Sequence, residues 1–198
     1  PPPSLTPGTE AAPPLSAEPN PVTLNTATTP APIGVLAGPP VIGGCQVFPA
    51  DNAWNQDISQ AAVDPSSGTY VNRVDSFRQF LHPDFGSDPS YGIPYTVVPG
   101  SQAMVPINFT AYGSESDPGP YPVPLNAPVE SGSDHHVLVL DSGNCTLYEL
   151  YNAVRSGSGW NADSGAIFHL DSDALRPDGW TSADAAGLPI LPGLVPYD

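Results

Sequence analysis

The 198-residue sequence predicts a mainly β protein: a single disulfide-locked domain of β-sandwich or jelly-roll-like type, with one or two short helices and an extended Pro/Thr-rich N-terminal tail. Three observations carry that expectation. Pro (28) and Gly (19) are abundant and charged residues make up only 12%, a turn-rich composition that favours extended chain over helix. Residues 134–151, DHHVLVLDSGNCTLYELY, are two β-branched and aromatic runs joined by a short turn, which is the pattern of a hairpin. Cys45 and Cys145 each flank a predicted strand. Paired, they close a loop of about 100 residues, a constraint contributing roughly 3–5 kcal/mol.

The elements follow in chain order. Residues 1–44 carry two charges, Glu10 and Glu18, and no aromatic residue, the composition of a flexible or polyproline-like tail. Within it, segments 21–29 and 33–41 have the extended, partly apolar character of a strand that can add to a sheet edge. The globular domain is expected over 45–198. Cys45 opens a short strand, followed by a turn at 49–52 and Trp54. Tyr70, Val74, Phe77 and Leu81 fall at i, i+4, i+7 and i+11, an apolar stripe that predicts a helix stopped by Pro83. Residues 82–86 (HPDFG) then read as a tight turn. Strands are expected at 91–98 and 104–112, the second with Val105, Ile107 and Phe109 on a buried face. The proline run 115–124 belongs on an edge or in a loop, with Glu115 and Asp117 facing solvent or a cation. After the hairpin, 165–171 reads as a strand carrying His169. Thr181-Ser-Ala-Asp184 resembles a capping box opening a short helix that Gly187 and Pro189 close.

The hairpin admits two registers. A three-residue loop at 142–144 sets Val137 against Glu149 and Val139 against Leu147. A four-residue loop at 141–144 sets His136 against Glu149 and Val137 against Tyr148, and then the acid and the imidazole can share a proton. The alternative reading puts both on a solvated face or in a satisfied pair, since a period-2 strand normally carries one polar face.

Charge narrows the function classes. Net charge is −16, all four basic residues are arginines, and there is no lysine. Such a surface repels phosphate backbones, so nucleic acid is not an expected partner, nor are anionic membranes or acidic glycans. It attracts cations, including Ca²⁺ through oxygen ligands, but Asp171-Ser-Asp173 is too short a pattern to define a site. A distant cysteine pair and the sequons at Asn108 and Asn144 fit an exported chain. No run resembles a signal peptide or a membrane span, so the chain reads as a mature, processed form.

No P-loop, dinucleotide fingerprint, H-E-x-x-H, C-x-x-C or G-x-S-x-G motif occurs. What remains is a loose set, His82, Asp84, His135, His136, Glu149 and His169. A glycan-directed enzyme needs two carboxylates across a cleft, and Glu149 with Asp84 or Asp117 is the best candidate pair, with His136 and His82 completing the candidate catalytic set. Trp54, Trp160 and Trp180 are either sugar-stacking platforms or core residues. His135, His136 and His169 are possible metal ligands, but neighbours on a strand point to opposite faces, so no metal site is assigned.

Four stretches carry a resemblance: HPDFG (82–86), ESDPGPYPVP (115–124), LYELY (147–151) and LRPDGWTSADAAGLPILPGLVPYD (175–198). Across residues 45–198 the chain resembles a family of secreted bacterial proteins of unassigned function. The resemblance implies export and lends no activity. Family members continue past the final Tyr-Asp, which implies a processed or shortened chain, or strands supplied by another chain.

Two functional expectations result. In the first, the protein is an extracellular structural subunit of a fibre or surface layer, self-associating as residues 21–44 dock on a neighbour. In the second, it is a secreted glycan-directed hydrolase or lyase acting on a polysaccharide through a His/Asp/Glu groove.

Overall fold

The structure, a computed structural model, describes residues 38–77 and 92–194, all within the unit Leu36–Asp198 into which the chain divides. The described chain is mainly β, with one α-helix and a Cys45–Cys145 disulfide whose Cα atoms lie 5.4 Å apart. The strands are β1 (Val41–Ile42), β2 (Cys45–Gln46), β3 (Tyr95–Val98), β4 (Ile107–Phe109), β5 (Val137–Asp141), β6 (Thr146–Tyr151), β7 (Val154–Ser156), β8 (Gly159–Ala162) and β9 (Ser164–His169). The helix α1 spans Ser67–Asp75.

A four-stranded sheet in the order β3-β5-β6-β9 forms the centre. β5 and β6 are buried along almost their whole length on both faces. That explains the unbroken Val-Leu-Val-Leu run of β5, which a half-solvated strand would not need. Val137, Val139, Tyr148 and Leu150 point to one side. There they meet Tyr121 and Val123 of the proline run, with Ile107, Phe109, Trp160 and Ala162 of a three-stranded sheet, β4-β8-β7. Leu138, Leu140, Leu147, Ala166 and Phe168 point to the other side, where Cys45, Val47, Phe48, Leu170 and Leu191 cover them. β3 joins β5 in parallel, and β4 joins β8 in parallel. Gly159 permits the second pairing, because a Cβ there would overlap the carbonyl oxygen of Pro106.

The hairpin adopts neither expected register. Val137 pairs with Leu150, Leu138 with Glu149, Val139 with Tyr148 and Asp141 with Thr146, leaving residues 142–145 as the loop. Cys45 bonds to Cys145, which takes a left-handed conformation (φ 52°). The disulfide therefore sits inside the turn, and the pairing shifts to make room for it.

Three other expectations change. Tyr70, Val74 and Phe77 lie on α1 or just beyond it, but each is more than half exposed, so the stripe covers no core among the described residues. Residues 181–187 form turns rather than a helix: Ser182 Oγ accepts from the Asp184 N–H, a local bond that closes the chain before a helical turn can form. Residues 38–44, tail-like by composition, pair with the body, since β1 runs antiparallel to β2.

Candidate functional site

The main cleft has a volume of about 700 Å³. The start of β5, the end of β6 and the 181–185 turn form its walls, with Tyr112 and Tyr151 as aromatic sides and Glu115, Asp134 and Asp184 as acids. Among the described residues His136 is the one basic-capable side chain lining it. It is 7% exposed and already engaged: Nδ1 lies 2.6 Å from Glu130 Oε2, and Nε2 lies 3.1 Å from the Ala183 carbonyl oxygen. Both neighbours are oxygens, so the ring ties the 130–136 loop to the 181–185 turn.

Glu149 is fully buried, opposite Leu138 rather than His136, and does not line the cleft. Its Oε1 accepts N–H bonds from Ile190 (3.0 Å) and Leu191 (2.9 Å), and its Oε2 accepts from Ile190 (2.9 Å). The carboxylate thus caps the short 3-10 turn Leu191–Gly193. Burial pushes its pKa up from an ordinary 4.5 to about 7, with Asp184 adding to the rise and the two N–H groups and Arg176 opposing it.

Arg176 holds the back of the cleft together. Its guanidinium pairs with Asp117 Oδ2 and donates to the carbonyl oxygens of Thr181 (2.8 Å) and Glu115 (2.9 Å). It also sits over the rings of Phe168 and Trp180. Glu115 accepts the Thr181 N–H. The proline run and the 175–181 segment are therefore one interlocked unit, and the two acids expected in solvent or on a cation face this arginine and backbone. Tyr121, fully buried in the same run, donates to the Asp117 carbonyl oxygen at 2.6 Å, and burial raises its pKa.

The other candidate residues lie apart. His135 is exposed beside Asn152, and His169 is exposed beside Thr146. Among the described residues no group of three or more His, Cys, Asp or Glu gathers around a possible ion. His82 and Asp84 lie outside the described residues. Trp160 is core, Trp54 is half exposed, and Trp180 lies over Arg176. Glu130, Ser182 and Arg176 were not singled out by motif. Arg176 had one signal, its rarity: a chain with 20 acids holds few bases, and this one sits inside the 175–198 stretch.

The two edges of the central sheet differ. The outer edge of β9 is covered: Gly165 N–H donates to Ser116 Oγ, Ile167 N–H to Asp117 Oδ2, and Gly165 O accepts the Asp117 N–H. At the other edge, Val98 O accepts the Ser142 N–H on the β5 side. Backbone groups alternate along a strand, so Tyr95 and Val97 turn theirs outward. Among the described residues nothing pairs with them. Beside this edge lies a groove of about 390 Å³ lined by Pro40, Val41, Ile42, Val47, Tyr95 and Leu194. Also among the described residues, no helix is long and apolar enough to cross a membrane. Comparisons with models of protein families, with curated proteins and with solved structures found no match.

Proposed function

We propose that the protein is an exported structural subunit that self-associates outside the cell through its N-terminal tail. The observation that carries this reading is the asymmetry of the central sheet. One edge is closed by Ser116 and Asp117, while among the described residues β3 presents unpaired backbone groups beside a groove lined by Val41, Ile42, Val47 and Leu194. An unpaired edge is a template for a further strand. The disulfide, which persists in oxidising compartments, supports export. Packing of the three-stranded sheet on the central sheet supports a sandwich-like domain, and the two parallel pairs weigh against the jelly-roll variant.

Electron microscopy of the full chain, beside a version cut before residue 38, tests the reading. The cut preserves the β1–β2 pair. Fibres or arrays that vanish with residues 1–37 are the expected result. Single particles of one size in both samples would overturn it.

A second reading, a secreted enzyme acting on a polysaccharide, rests on the 700 Å³ cleft with its two tyrosines, three acids and His136. Among the described residues a ligand there meets carboxylates and no arginine, which favours a neutral or cationic glycan over an acidic one. Its test is a polysaccharide screen with His136→Asn as control. Release of sugar by the native protein alone supports the enzyme, and no release from any substrate removes it.

A further inference from the structure

We propose that the acceptor for the tail is the outer edge of β3, and that the segment received is residues 22–29 of a neighbouring copy. The inference rests on the assembly reading above and names both halves of its contact.

The acceptor half follows from hydrogen-bond direction. Thr96 and Val98 face β5, so the N–H and C=O groups of Tyr95 and Val97 are the ones available to an added strand. Their side chains are also partly exposed, at 38% and 41%. Val41 and Ile42 line the adjoining groove and belong to the β1–β2 pair. Residues 41–46 are therefore in use within their own domain, so the segment proposed as donor comes from earlier in the chain.

The donor half follows from proline. A residue without an N–H breaks a ladder, so a donated strand needs a proline-free run. In residues 1–37 the longest such run is Val22-Thr-Leu-Asn-Thr-Ala-Thr-Thr29. It is rich in β-branched residues, uncharged, and longer than β3, and Val22 and Leu24 share one face at period two. Absence of charge matters on a body carrying most of the −16, because an acidic segment would be repelled. The preceding runs are shorter, and two of them contain Glu10 or Glu18.

Donation from one copy to the next is a head-to-tail contact, so each half can be disabled separately. The donor variant carries Leu24→Pro and Thr26→Pro. The acceptor variant is Val97→Pro, which removes an outward N–H and leaves the β3–β5 ladder intact, an edge position where proline is tolerated. All are full-length chains, and mass is read by light scattering across a concentration series. The expected result is growth in mass for the native chain, monomers for each variant alone, and dimers and nothing larger for their equimolar mixture. A donor variant that assembles like the native chain, or a mixture that stays monomeric, overturns this pairing and leaves the assembly reading standing. A native chain that stays monomeric at every concentration overturns both.

Discussion

Replacing Glu149 by Gln should remove a pH dependence of stability that the native protein carries. The fully buried carboxyl titrates at about 7 in the folded chain against 4.5 ordinarily. Below pH 4.5 it is protonated in both states and folding costs nothing extra. As pH rises the unfolded chain ionises first, and stability falls until pH passes about 7, where the loss levels off. The span corresponds to about 3 kcal/mol. Gln has the shape of the protonated acid and can accept one of the N–H bonds from Ile190 or Leu191, so the variant should track the native protein near pH 4.5. Near pH 7.5 it should be the more stable of the two by about 3 kcal/mol. Asp184 and Arg176, the charged groups that act on Glu149, are common to both proteins and cancel in the difference. Urea unfolding with the disulfide intact, at steps between pH 4.5 and 7.5, measures it. A gap that does not change with pH, or a variant less stable at pH 7.5, would refute the claim that burial dominates at this site.

Three further outcomes follow from the packing. Arg176→Met leaves Asp117 without its charge partner and frees the carbonyl oxygens of Thr181 and Glu115, and should cost about 2–3 kcal/mol in unfolding free energy, toward the low end for a broken buried pair because Asp117 is partly exposed. Reducing Cys45–Cys145 opens a connection of sequence separation 100 and should lower unfolding free energy by about 4 kcal/mol; an unchanged urea midpoint would count against the loop-entropy account. Gly159→Ala forces a methyl group onto the Pro106 carbonyl and should destabilise by about 1–3 kcal/mol, with the near-ultraviolet signal of Trp160 altered.

Much of the β framework is legible in the sequence. The hairpin, β3, β4, β9 and the disulfide fall within or beside the stretches that alternation and cysteine position mark out. The strands are shorter than those stretches: β3 occupies only the last four residues of 91–98, β4 only the middle of 104–112, and β9 ends two residues before 171. The hairpin register was not legible, since it depends on Cys145 adopting φ 52° inside the turn to reach Cys45. Nor was the burial of Glu149 and His136. Alternation within β6 assigns one face to solvent, but the 188–194 segment returns and covers it, supplying Ile190 and Leu191 N–H groups to the acid. The β7–β8 pair has one sequence signal, the Ser156-Gly157-Ser158 turn, where Gly157 has φ 58°. The capping-box pattern at 181–184 misled because Ser182 spends its hydroxyl on a turn. The helix stripe was legible as a helix but not as an exposed one, because periodicity shows which residues share a face and not what lies opposite.

The central claim, that β3 is the receiving edge, is tested most directly by hydrogen exchange of the full chain in dilute and in concentrated solution. The amides to compare are Tyr95 and Val97 at the open edge with Gly165 and Ile167 at the covered one. The account predicts that Tyr95 and Val97 gain protection as the protein concentrates, while Gly165 and Ile167, already bonded to Ser116 and Asp117, do not change. Equal exchange of Tyr95 and Val97 at both concentrations, with assembly occurring, would contradict it.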